Sequence, residues 1–458
     1  MKFVGIDVGT TTIGGVLFDP ESRAVIDVIV EPNHALLDSV HPWERLQDPR
    51  LILETVTAIC DTFASRYPDI RGIGVTGQMH GITYLDRAGN AVAPLYSWQD
   101  GRGDLLFEDG TTYAGYLSAR SGYRMATGFG LTTHFYNSIH GLVPDEASVL
   151  CTIPDYIAMK LANRNSPICD PTHAASLGLF DLKNVCFDPA AMTKVGINPA
   201  LLPQLGTALK TMGQTESGIA VFPAVGDNQA SFIGAVKDLR ISILANIGTS
   251  SQLSAYTADY VGVSRNELRP FPGGGYILVG APLCGGRSYA LLEAFFKDCI
   301  RVFTGQSCGD LYETMNRIDY EAIPEEERLQ VATQFSGTRQ DPDKRGVIRN
   351  IGVANFTPAH LIAGFLDGIV AELLEFYAEL PDAMKRKSRI LLGAGNGIRK
   401  NELLQKILRQ KFQMDLQIPA GREEASHGAA LVAAVGCGCF PDLCTAMNLS
   451  NVQESKGM

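Results

Sequence analysis

Two short stretches pair glycine with a run of hydroxyl side chains. They are "DVGTTT", with Gly9, Thr10 and Thr11, and "NIGTSS", with Gly248, Thr249 and Ser250. Glycine lets the backbone turn tightly, so the amides and hydroxyls that follow can face a ligand. One such turn is an ordinary hairpin. Two in equivalent places would grip a polyphosphate from both sides. Asp7 stands at the mouth of the first turn. A carboxylate beside phosphates is repulsive unless a cation intervenes, and Mg²⁺ is held by one or two carboxylates, waters and phosphate oxygens. The simpler use of Asp7 is a hydrogen bond to its own turn.

Asp227 lies in "PAVGDNQASF", which holds no Lys or Arg to pair with it. Alone, it reads as turn chemistry or a helix cap. Beside two phosphate turns it reads as the base of a phosphoryl transfer, a reaction that needs cradled phosphates, a metal ion and an aligned hydroxyl. Other phosphate fingerprints are incomplete. "GTTTIGGV" lacks the Lys and Ser/Thr of a Walker A loop, and no protein-kinase catalytic loop is present. "GAGNGIRK" has Ile398 where a dinucleotide loop needs its third glycine.

A second set of residues suits a polyhydroxylated substrate. In "TGQMHGITYLD", Gln78 and His80 offer directional hydrogen bonds and Met79 an apolar face. In "YSWQDGR", Trp98 offers another face, and Asp100 and Arg102 could meet outer hydroxyls. Sugars need both kinds of contact. Asn228, next to Asp227, joins the set. The simpler readings are a local cap for His80 and a turn with a surface ion pair for "QDGR".

These residues need a scaffold that brings positions 7, 78, 227 and 248 together. "FVGIDV", "TIGGVLFD" and "AVIDVIVE" alternate as strands. Ile52, Val56, Ile59, Cys60 and Phe63 follow at helical spacing, and "RGIGVTG" is a further strand. The opening then repeats. "ISILANIGTSSQLSAYT" has the form of "KFVGIDVGTTTIGGVLF", with Asn246 where Asp7 stands, and "SRILLGAGNGIRKN" echoes "DIRGIGVTGQMHG". Two copies in the same order imply a duplicated α/β unit with mixed sheets and a cleft between the halves. The polar break "VKDLR" sets the halves at residues 1–237 and 238–458. "PEEERLQ" reads as a solvated helix start, and "MNLSNVQESKGM" as a frayed tail.

The 458 residues are 45% hydrophobic and 19% charged, with a net charge of −10. That composition fits large cores, and the acidic balance argues against nucleic-acid and anionic-membrane partners. No apolar run reaches spanning length, the start reads as a strand rather than a signal peptide, and the ten scattered cysteines read as reduced, mostly buried thiols. A cytoplasmic enzyme is the expectation.

Taken in order, "GIDVGTTT", "GQMHG", "VGDNQA", "NIGTSSQL" and "LLGAGNG" resemble the FGGY carbohydrate kinases, from Phe3 to about Cys437. Asn350 and Gly364 depart from that family's C-terminal signature, away from every proposed ligand. The resemblance implies two ribonuclease-H-like, actin-like ATPase domains that close around MgATP and a sugar. It implies Asp227 as the base, Asp7 with Asp227 at the Mg²⁺, and Thr10, Thr11, Gly248, Thr249 and Ser250 at the phosphates. Gly395, Asn396 and Asn401 would lie by the adenosine. "SWQDGR", "MATGFG", "HAASLGLFDL" and "GDNQAS" are similar to the ketose-kinase branch that takes a seven-carbon sugar, with xylulose and ribulose as alternatives. A homodimer is the expected assembly. A nucleotide switch with a protein partner, or a silent sugar sensor, would use the same fold.

Overall fold

The computed structural model describes residues 1–338, 341, 343–419, 421 and 423–450. Its frame is two sheets of matching topology. In the first, strand Lys2–Val8 lies between Thr12–Asp19, antiparallel, and Ile70–Gly77, parallel. In the second, Ser242–Ile247 lies between Ser251–Thr257, antiparallel, and Ile390–Ala394, parallel. Ala24–Pro32 extends the first sheet, and Tyr276–Gly280 extends the second. This is the duplication read from the sequence, seen as backbone pairing.

A central strand with a parallel neighbour needs cover on both faces. Helix Pro49–Arg66 covers one face of the first sheet with Ile52, Val56, Ile59 and Phe63, all buried as their spacing predicts. The other face is closed by a helix from the far end of the chain, Glu424–Gly436. It approaches so closely that a Cβ on Gly5 would overlap the Ser426 carbonyl, and one on Gly74 the carbonyl of Ala429. It also crosses helix Asp227–Ala235 backbone to backbone. A Cβ on Gly234 would strike the Glu424 carbonyl, and one on Gly428 that of Ala230. Glycine is required there by space.

Three local expectations are corrected. "PEEERLQ" forms only the 3₁₀ turn Glu325–Glu327, followed by strand Gln330–Ala332. The three acidic residues carry no apolar stripe, while Leu329 and Val331 bury on strand spacing. All ten cysteines are free, but only Cys151, Cys169 and Cys284 are buried. In the tail, Met447 is buried on helix Leu443–Leu449, and residues 451–458 lie outside the described residues. No described helix is long and apolar enough to cross a membrane.

Candidate active site

Asp7 and Asn246 each stand one residue before the end of the middle strand of a sheet. Beyond them the two Gly-Thr turns are held from behind. The Gly9 carbonyl accepts from Asn33 Nδ2 at 2.9 Å, that of Thr10 from Gln47 Nε2 at 3.0 Å, and that of Thr11 from Asn33 N at 2.9 Å. In the second turn the Gly248 and Thr249 carbonyls accept from Gly286 N at 2.9 Å and Arg287 N at 3.0 Å, in the first turn of helix Gly285–Thr304. With these carbonyls committed to the protein, and the Gly248 amide spent on the Ser250 carbonyl at 2.9 Å, the remaining amides and the hydroxyls are what each turn can offer a phosphate.

The loops after the parallel strands close in on these turns. A Cβ on Gly395 would lie 2.5 Å from Asn246 Oδ1, and Gly395 has a φ of +83°, a left-handed conformation that suits glycine. This seats exposed Asn396 beside the second turn. Asn401 is not presented with them. It is buried, its Oδ1 accepts from Leu404 N at 2.9 Å, and it caps helix Glu402–Phe412.

Strand Val225–Gly226 pairs with the end of Ile70–Gly77 and delivers Asp227 to the first residue of its helix. Gly226 packs on Met79, where an added Cβ would sit 2.8 Å from the sulfur. Asp227 and the Gln78–Met79–His80 turn therefore share one wall. Burial pushes the Asp227 carboxyl up; the Arg269 guanidinium, the Asn228 amide at 2.6 Å and His173 pull against it. Burial also pushes Asp7 up to about 7, helped by the charges of Asp227 and Glu423. Three carboxylates thus gather where a polyanion is expected, an arrangement that a divalent cation would relieve. Among the described residues, no three His, Cys, Asp or Glu side chains could hold an ion by themselves. The donor set therefore fits a Mg²⁺ that takes its other ligands from phosphate and water.

The sugar-side residues divide into presented and committed groups. Trp98 is 45% exposed, and its indole N–H donates to Thr10 Oγ1 at 3.0 Å. His80 is held at φ +78°, with Nδ1 2.8 Å from the Ser176 carbonyl and its ring stacked on Phe129 at 4.7 Å. Gln78 Oε1 and Asn228 Oδ1 are buried acceptors with no protein donor among the described residues. Asp100 and Arg102 are spent on each other. Arg102 is 1% exposed, 2.6 Å from Asp100 through Nε, bonded to Asn137, and its guanidinium lies over Tyr96 at 4.3 Å. The surface ion pair that "QDGR" suggested is a buried one.

Sequence reasoning missed four contributors. Glu423 reaches Asp7 from the far end of the chain, and Arg269 reaches Asp227 from the second sheet. His173 pairs with Asp155 at 3.1 Å, both fully buried. Burial lowers its pKa, and the carboxylates of Asp155, Asp170 and Asp227 outweigh that and raise it. Gln47 joins Gln78 to the first Gly-Thr turn. Glu423, Arg269 and Gln47 carry no local motif, and His173 opens "HAASLGLFDL", where its sequence alone does not reveal its partner Asp155.

Two Gly-Thr turns, a buried carboxylate and a wall of polar and apolar side chains on a duplicated α/β fold suit a phosphotransferase acting on a carbohydrate. The chain belongs to the FGGY family of carbohydrate kinases. It matches that family's N-terminal domain over residues 2–245 and its C-terminal domain over residues 245–437. It is 27% identical to the sedoheptulokinase of Mus musculus, across 94% of this chain and 96% of that protein. Its fold matches a xylulose kinase from Rhodospirillum rubrum with a TM-score of 0.82 at 20% identity, covering 98% of this chain and 92% of that one. A Plasmodium falciparum glycerol kinase solved with ADP matches with a TM-score of 0.79 at 18% identity, covering 98% and 92%.

Proposed function

We propose that this sugar kinase transfers the γ-phosphoryl group of ATP to sedoheptulose, giving sedoheptulose 7-phosphate and ADP. The observation that carries the reading is the packing of Gly226, the residue before Asp227, against Met79, between Gln78 and His80. A base for a sugar hydroxyl belongs there. The choice of ketose is supported by the similarity to the mouse sedoheptulokinase over nearly the full length of both chains. Xylulose is the second reading, favoured by the likeness to the R. rubrum enzyme.

ATP would lie with its phosphates between Thr10–Thr11 and Gly248–Thr249–Ser250, and its adenosine by Gly395 and Asn396. Asp7, with Asp227, would hold a Mg²⁺ that offsets charge on the phosphates. The sugar would place hydroxyls at Gln78, His80 and Asn228 and an apolar face on Met79 and Trp98, with Asp100 and Arg102 shaping the wall behind. Asp227 accepts the proton of the terminal hydroxyl as its oxygen bonds to the γ-phosphorus. The bond to the bridging oxygen breaks, and ADP leaves. Division near residues 237 and 238 would let the halves close and exclude water.

The test is ADP release from MgATP with sedoheptulose, xylulose, ribulose, glycerol or no sugar. The highest kcat/KM with sedoheptulose is expected. A five-carbon preference would replace the substrate but keep the site, and indifference to every sugar would remove the ketose assignment.

A further inference from the structure

A chain of hydrogen bonds runs from the first phosphate turn to the sugar wall, and Gln47 is its middle link. Gln47 is 2% exposed and belongs to the two-residue strand Leu46–Gln47. That strand is paired to Leu95–Tyr96, and the next residue, Asp48, caps helix Pro49–Arg66. The backbone at Gln47 is thus fixed on both sides. Its side chain donates Nε2 to the Thr10 carbonyl at 3.0 Å and accepts at Oε1 from Gln78 Nε2 at 2.8 Å.

The polarity of this chain is forced. A backbone carbonyl can only accept, so the amide nitrogen of Gln47 must face Thr10. Its oxygen then faces Gln78 and can only accept, so Gln78 must turn its nitrogen to Gln47. What remains is Gln78 Oε1, on a side chain 5% exposed, with no donor among the described residues. A buried amide oxygen without a donor is costly. A hydroxyl of the bound substrate can supply that donor.

We propose that Gln47 is a positioning residue with two tasks, to brace the Thr10 carbonyl so that the phosphate turn keeps its shape, and to hold Gln78 with its oxygen toward a donating sugar hydroxyl. The proposal rests on the ketose-kinase reading for the identity of the donor, but the brace does not. It also links the two ligands, because sugar at Gln78 orders the same chain that holds the turn.

Two variants separate the tasks. Gln47→Met removes both hydrogen bonds at similar volume. Gln47→Glu keeps an acceptor for Gln78 but, when ionised, has no donor for Thr10. Calorimetric affinity for ADP, with and without sedoheptulose, reads the result, with melting temperatures taken alongside. Without sugar, both variants should bind ADP about fivefold more weakly than the wild type, the worth of one ordinary hydrogen bond. Sedoheptulose should tighten ADP binding to the wild type about fivefold or more, and to Gln47→Met hardly at all. Gln47→Glu should keep near-native affinity for the sugar, which Gln47→Met should not. Wild-type ADP affinity in both folded variants would overturn the brace. Unchanged sugar affinity in Gln47→Met would overturn the orienting role. A wild-type protein that binds ADP but ignores sedoheptulose would refute the substrate instead, and the sugar-free comparison would still decide the brace.

Discussion

Asp7 and Asn246 occupy the same position in two copies of one hairpin. Asp7 pairs with Gly14 and Thr76, and Asn246 with Gln252 and Ala394, each between an antiparallel and a parallel neighbour. One copy carries a carboxylate and the other its neutral amide. The half with the carboxylate also carries Asp227, whose charge acts on Asp7.

That asymmetry has a stability cost without metal. A carboxyl whose pKa is raised on folding resists ionisation in the native state. No penalty exists below about pH 4, where both states are protonated. It grows as pH rises and is full above about 7, the native value for Asp7. Asp7→Asn should therefore stabilise the metal-free protein at pH 8 by about 2–4 kcal/mol, and the gain should shrink toward pH 4. Urea unfolding at both pH values measures it. An equal or larger gain at pH 4 would contradict the assignment.

The buried Asp100–Arg102 pair predicts a structural defect. Arg102→Met leaves the Asp100 carboxylate buried without its guanidinium and should cost about 3–5 kcal/mol. Denaturant unfolding decides this. A loss of sugar affinity at unchanged stability would instead place Arg102 in direct contact with substrate.

The glycine crossing is equally specific. Gly428→Ala puts a Cβ into the Ala230 carbonyl, in the helix that Asp227 begins. The helices must separate, with destabilisation of at least about 1–3 kcal/mol and reduced turnover together. Unchanged unfolding in urea would show that the crossing has slack.

The hairpins, the first helix and the duplication were legible because each is a local pattern of strand, glycine and hydroxyl. Asp227 stands out in the sequence only through the company it keeps. Glu423 and Arg269 were not legible, because the backbone brings them in from distant segments without a motif of their own, and His173, though it opens "HAASLGLFDL", shows its tie to Asp155 and Asp227 only in the fold. Gln47 was invisible for another reason: a lone glutamine before an Asp-Pro helix start looks like surface. For Asp100 and Arg102 the residue types were visible, but their burial depends on Tyr96, Tyr136 and Asn137 folding over them.

The most direct test of the account is turnover by Asp227→Asn with MgATP and the preferred ketose, alongside its ATP affinity. With Asp227 as the base, kcat should fall about 10²–10⁴-fold with folding and ATP binding retained. Near-native kcat in that variant would contradict Asp227 as the base.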